Sequence, residues 1–318
     1  MDGTGKTAVV AIGGNSLIKD REHRTVRDQY IAAGETCWHI ASMIQDGWGV
    51  AITHGNGPQV GFILRRSELA AHELHEVPLD ACGADTQGAI GYALQQNLHN
   101  DFDRLGIDKQ AVTVVTQVEV AADDPAFQNP SKPIGSYMDE PEAMRRRHED
   151  GWSVMEDAGR GWRRVVPSPA PVRIVEEDAI RSLIDAGFVV ISTGGGGIPV
   201  VADADGTLQG VAAVIDKDLA GALLATTIGA ELFLISTAVE KVALNFGAPN
   251  QEWVDRLTLS EAKGYLAEGT HFAAGSMGPK IRAVIGFVER GGGEAVITNP
   301  ENVERALAGE TGTRVVPD

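Results

Sequence analysis

Cysteine is nearly absent: Cys37 and Cys82 are the two in 318 residues. That rules out a disulfide framework and fits a reducing compartment. No apolar run approaches the roughly 20 residues needed to span a bilayer. Met1 to Thr7 is short and polar, with no apolar signal core behind it. Positive charge is also scarce, since 27 Lys and Arg face 44 Asp and Glu for a net charge of −17. Nucleic-acid and acidic-membrane surfaces need a basic footprint, so neither partner is expected. These absences describe a soluble, cytoplasmic protein whose acidity serves solubility, or a salty interior. Lysine is rare among the cations, at eight positions. A lysine in an apolar or glycine context therefore stands out.

Common catalytic signatures are missing too. The eight histidines are dispersed, and no Cys or His pair has zinc spacing, so no protein metal cage is expected. There is no Gly-x-Ser-x-Gly elbow. Cys82 has no base paired with it in sequence and reads as a small buried residue. His54, beside Gly55, is balanced between a substrate contact and a structural role. Gly3-Thr4-Gly5-Lys6-Thr7 imitates the end of a P-loop, but the strand follows it instead of preceding it. Gly13-Gly14-Asn15 lacks the third glycine of a dinucleotide fingerprint.

What is present is a 43% hydrophobic chain, poor in aromatics at 5%, with apolar runs alternating with helical patterns. Strands are expected at 7–12, 50–53, 111–120, 188–192, 232–236 and 294–298, the last closing the sheet. Helices are expected at 27–46, 85–98, 180–186, 219–228 and 279–289. Alternation of this kind implies right-handed βαβ units and a mostly parallel sheet covered on both faces. Residues 122–171 break the rhythm with seven prolines and an Arg145-Arg146-Arg147 run, and read as an inserted subdomain or lid. At 318 residues, more than one lobe is expected.

Glycine-rich turns follow several of the strands: Gly13-Gly14-Asn15, Gly55-Asn56-Gly57 and Gly194 to Gly197, with Gly275-Ser276-Met277-Gly278-Pro279 opening a helix. Ligands of open parallel sheets bind beyond the carboxyl ends of strands, and bare glycine backbone forms anion-binding concavities there. Three lysines accompany the turns. Lys132 lies in the insert, Lys217 sits between Asp216 and Asp218 at a helix start, and Lys280 follows Gly278-Pro279 at another. Helix starts attract anions. A plain reading of Asp216 is an N-cap with Lys217 left in solvent. The functional reading is a set of lysines held by carboxylates and aimed at phosphate. Phosphoryl transfer needs positioning and charge neutralisation more than a base.

These stretches together resemble the carbamate kinases, a branch of the amino-acid kinase fold. The resemblance rests on Ala-Ile-Gly-Gly-Asn-Ser-Leu (11–17), Thr-His-Gly-Asn-Gly-Pro-Gln-Val-Gly (53–61), Pro-Leu-Asp-Ala-Cys-Gly-Ala (78–84) and Asn-Pro-Ser-Lys-Pro-Ile-Gly (129–135). It continues through Gly-Trp-Arg-Arg-Val-Val-Pro-Ser-Pro (161–169), Gly-Gly-Gly-Gly-Ile-Pro-Val (194–200), Ala-Val-Ile-Asp-Lys-Asp (213–218) and Gly-Ser-Met-Gly-Pro-Lys-Ile (275–281). It implies a three-layer αβα sandwich with a protruding lid at about 122–171, and a homodimer. Residues 1–210 would form an acyl-phosphate lobe and residues 211–318 a nucleotide lobe. The implied reaction is reversible transfer between ATP and carbamate, giving ADP and carbamoyl phosphate, and running toward ATP in arginine catabolism. By motif, Lys132, Lys217 and Lys280 would stabilise the transferring group and Asp218 would orient the lysines. Gly13, Gly14, Asn15, Gly55 and Asn56 would hold the acyl and phosphoryl groups, flanked by Gly195 and Gly196. Thr237, Ala238, Val239, Met277 and Gly278 would border the nucleotide, with Mg²⁺ carried on its phosphates. Related amino-acid kinases place a lysine just before the first Gly-Gly. Here Ala11 and Ile12 stand there, and Lys132 is implied to replace that charge. A same-fold kinase of another small acid or phosphonate is the alternative.

Overall fold

A computed structural model describes residues 5–14, 17–18, 20, 22–157, 159–273 and 275–318. Eight strands form one sheet in the order 256–258, 313–316, 294–298, 232–236, 7–12, 49–54, 189–191, 111–113. Every neighbouring pair is parallel except Glu294–Thr298 against Thr313–Val316. The expected closing strand is therefore not the last. The chain turns after a short helix and adds Thr313–Val316 antiparallel to it.

Alternation along the strands builds the layers. Val9, Ala11, Phe233, Ile235, Ala295 and Ile297 point into one core, with the helices Lys217–Thr227 and Met277–Glu289 covering it. Ala8, Val10, Ile12, Leu232, Leu234 and Val296 point into the other, under Val26–Gln45 and Leu79–Leu105. Apolar residues on both faces are what a buried parallel sheet requires. The protein is a three-layer αβα sandwich. Small residues let the layers close: an added Cβ at Gly221 would lie 3.1 Å from the Phe233 ring.

The expected strand 111–120 is two strands in different sheets. Ala111–Thr113 ends the main sheet, and Gln117–Val120 joins a four-stranded one with Pro171–Ile174, Ile198–Ala202 and Leu208–Gly210. Buried Gln87 makes the bend. Its side chain accepts the Thr116 amide at 2.7 Å, taking a donor that a continuous ladder would use, and donates at 3.1 Å to the Thr116 carbonyl, which also accepts the Ile198 amide of the second sheet at 2.9 Å. The helix expected at 85–98 runs much further, from Leu79 to Leu105, and stops at Gly106 with φ 68°. Within 122–171, Lys132–Met138, Ser153–Glu156 and Trp162–Val166 form a three-stranded antiparallel sheet with the helix Glu140–Glu149.

Candidate active site

Register decides where the turns meet. Ile12 pairs with His54 on one side and with Ser236 on the other, so three neighbouring strands end at one level. Gly13, Gly55 and Thr237 are the next residues of each. The Gly13 amide donates to the Ser236 carbonyl and the Gly55 amide to the Ile12 carbonyl, both at 3.0 Å. Those two amides are spent on the sheet, so both glycines serve the site through their missing side chains. A Cβ on Gly13 would lie 2.8 Å from the Ser236 oxygen, and one on Gly55 would press on the Lys217 stem at 3.4 Å. Among the described residues, the amides of Asn56, Gly57 and Gly195 have no protein acceptor and are available to an anion.

The four-glycine turn is held from below. Gln87 donates to the Gly194 carbonyl at 3.1 Å, and Thr53 donates to the Thr193 carbonyl at 3.0 Å. Thr193 itself has φ 50°, a left-handed conformation uncommon for a β-branched residue. Gly195 has φ 69°, and a Cβ there would fall 2.0 Å from Asn56 Nδ2. That nitrogen donates to Thr86 Oγ1 at 2.8 Å, which fixes the amide. His54 is buried, with Nδ1 3.1 Å from the Gly55 carbonyl oxygen and its ring against Gly194. Desolvation drives its imidazole down to about 4; the Gly55 carbonyl opposes the shift and the Lys217 ammonium adds to it. A neutral ring under the glycine floor is a structural role.

Three helices point their N-termini at the same place. Gly57–Ala70 begins beside Asn56, Lys217–Thr227 beside Asp216, and Met277–Glu289 beside Ser276. Each contributes the positive end of its dipole. Asn56 and Ser276 make no side-chain cap, which leaves those ends open. Asp216 does cap its helix, accepting the Asp218 amide at 3.0 Å through Oδ1. Its other oxygen accepts Lys132 Nζ at 2.9 Å. Capping and lysine binding, which sequence sets against each other, are both performed by this one carboxylate. Asp218 is buried and binds two lysines, Lys217 through Oδ1 and Lys280 through Oδ2, the latter at 2.9 Å. Burial alone would raise its pKa, but the Lys217 and Lys280 charges win and hold it down to about 2. Three ammonium groups are thus fixed on two adjacent carboxylates.

Between these parts lies a cleft of about 400 Å³. Gly13, Gly14, Gly55, Asn56, Gly195, Lys132, Lys217, Asp218, Lys280, Thr237 and Ala238 all line it. So do Pro58, Val60, Val214, Asp216 and Ser276, which sequence reasoning did not single out as site residues. Asp216 was within reach, because a second aspartate on the same lysine invites the question of what it holds. Thr86 and Gln87 were not, since only the fold brings their helix beneath the glycines. Gly196 and Gly278 do not line the cleft; a Cβ on Gly196 would meet the Ile215 carbonyl and one on Gly278 the Ala273 carbonyl. Met277 packs on the core, and neither it nor Val239 lines the cleft. Asn15 lies outside the described residues. Grouped cations, open helix ends and spare amides in a glycine-walled cleft can bind a polyphosphate against a second small anion, and can neutralise charge as a phosphoryl group passes between them.

Residues 6–299 match the profile of the amino acid kinase family. The chain belongs to that family, and within it to the carbamate kinase branch. It is similar to the carbamate kinase of Thermococcus kodakarensis, at 48% identity over 98% of this chain and 99% of that one. It is also similar to the carbamate kinase-like protein YahI of Escherichia coli, at 50% identity over 97% and 98%. Among solved structures, Giardia lamblia carbamate kinase bound to AMP-PNP superposes with a TM-score of 0.93 at 41% identity, covering 100% of both chains. An N-acetylglutamate synthase of Neisseria gonorrhoeae, 16% identical with a TM-score of 0.58, shares the fold alone.

Proposed function

We propose that this enzyme transfers a phosphoryl group between carbamoyl phosphate and ADP, giving carbamate and ATP, and the reverse. The observation that carries the reading is the pair Asp216 and Asp218, which places three lysine ammonium groups around one glycine-walled cleft. In the ATP-forming direction a β-phosphate oxygen of ADP attacks phosphorus, and the bond from phosphorus to the carbamate oxygen breaks. Carbamate leaves as an anion, so no side chain has to move a proton. Lys217 and Lys280 neutralise the transferring oxygens, and Asp218 keeps the two from separating. The amides of Asn56, Gly57 and Gly195 hold the acyl phosphate. Lys132 closes over it from the lid, in place of the lysine that Ala11 and Ile12 do not supply. Mg²⁺ enters with the nucleotide as part of the substrate.

Residues 1–210 serve the acyl phosphate and residues 211–318 the nucleotide, with Thr237 and Ala238 on the nucleotide side. The enzyme works in the cytoplasm as a homodimer; exposed Val26, Ile31, Trp38 and Tyr92 on the two long helices of one outer layer support a self-association face. Acyl phosphates are stronger phosphoryl donors than ATP, which supports an ATP-forming role in arginine breakdown.

The test is a luciferase-coupled assay of ATP formation from ADP and carbamoyl phosphate. Wild type should turn over, and Lys217→Ala should lose about 10²–10³-fold in kcat, the usual cost of one transition-state donor. Acetyl phosphate and phosphonate donors run in parallel would expose the alternative. A clear preference for one of them, with carbamoyl phosphate inert, would sink the carbamate reading.

A further inference from the structure

A second cavity, of about 340 Å³, lies between the lid and the helix Gly57–Ala70. It shares Ile134 with the catalytic cleft as a common wall. The ladder of the lid sheet is broken there, between Ile134 and Met138, and Gly135 takes φ 69°. A Cβ added to Gly61 on the facing helix would lie 3.5 Å from Gly135 Cα, so the two elements pack closely beside the cavity.

The charges in this cavity are unevenly matched. Arg65 bonds Glu68 at 3.1 Å, and Arg146 bonds Glu142 and Asp150, both at 2.9 Å. Asp139 caps the Glu140–Glu149 helix through the Glu142 amide at 2.9 Å. Arg164 is the exception. It stacks on the Trp152 ring at 4.7 Å, with Arg146 over the same ring at 4.9 Å. Among the described residues its side chain makes no hydrogen bond and no salt bridge. The guanidinium is partly desolvated, which lowers its pKa against the pull of Glu68, Glu76 and Asp150. A half-buried guanidinium without a protein acceptor is the group an incoming carboxylate can engage with two parallel hydrogen bonds.

We propose that this cavity is a binding site for a small monocarboxylate with an apolar body. Its carboxylate meets Arg164, and its body rests on Leu64, Ile134 and Met138. Glu68, Asp139 and Glu142 line the same space and repel a polyanion, which separates this site from the phosphate cleft. A ligand here touches both the lid strand and the Gly57–Ala70 helix, two residues along the chain from Lys132. It therefore ties the lid to the body of the enzyme.

Sodium benzoate is a suitable probe, with inorganic phosphate at matched ionic strength as the contrast. Benzoate at ten times its dissociation constant should raise the melting temperature of wild type by about 2 °C. Arg164→Met keeps an apolar contact to Trp152 and should lose that shift while retaining the shift given by phosphate in the catalytic cleft. Hydrogen exchange on wild type gives an independent reading that needs no variant. Benzoate should protect amides at 61–68 and 134–139. No protection anywhere, or protection confined to 53–58 and 214–218, would overturn the proposal, as would an undiminished benzoate shift in folded Arg164→Met.

Discussion

At the scale of single residues, much of the site depends on atoms that are missing or protons that are refused. Gly195 combines a left-handed backbone with a side-chain position already filled by the Asn56 amide. Gly195→Ala should therefore cost about 1–3 kcal/mol from backbone strain alone, and should also weaken acyl-phosphate binding by displacing Asn56. Thermal melting and KM measure the two effects separately, and an unchanged melt would contradict the geometry. His54 gives a pH signature. Its ordinary pKa is 6.5 and burial lowers it to about 4 in the fold. Between those values the unfolded chain binds a proton that the native chain refuses. This contribution is complete above pH 6.5 and is lost as pH falls toward 4, to the extent of about 3 kcal/mol. Urea midpoints should drop across that window in wild type and drop less in His54→Asn. Equal slopes in the two proteins would show that another group is responsible.

At the scale of elements, Asp216 links the lid to a core helix with one carboxylate. Asp216→Ala removes the cap and the Lys132 partner together and should cost about 1–2 kcal/mol. Asn caps nearly as well but carries no charge. Asp216→Asn should therefore keep the melting temperature while altering the KM for the acyl phosphate. A variant as unstable as the alanine form would mean that the cap is not what Asp216 contributes. The same residue marks how far sequence could reach. Strands 7–12, 232–236 and 294–298 were legible because their apolar runs end in glycine or polar punctuation. The lysines were legible because their helix starts are local. The bend at Val114 to Thr116 was not, because it is made by Gln87, whose side chain competes with the sheet from a distant helix. The commitment of the Gly13 and Gly55 amides was equally hidden, since it follows from register between strands far apart in the chain.

At the scale of the whole molecule, a net charge of −17 sits on a chain that must gather anions. The three site lysines are shielded by their own aspartates, while the outer surface carries the excess acid. Self-repulsion of that surface weakens with salt, as the Debye length shrinks to about 3 Å at 1 M. The melting temperature should rise between 0.05 and 1 M sodium chloride, even as high salt competes with substrate for the cleft. A falling melting temperature would mean that surface ion pairs outweigh the repulsion. The placement of Thr7–Ile12 between Gly49–His54 and Leu232–Ser236 bears on how the molecule is made. One partner emerges from the ribosome soon after it, the other more than 200 residues later. Until then one edge of the central strand stands open, an invitation to aggregation, and closing so long a loop is slow. Catalytic competence should consequently be among the last properties to return on refolding, and nascent chains truncated before Leu232 should depend heavily on chaperones.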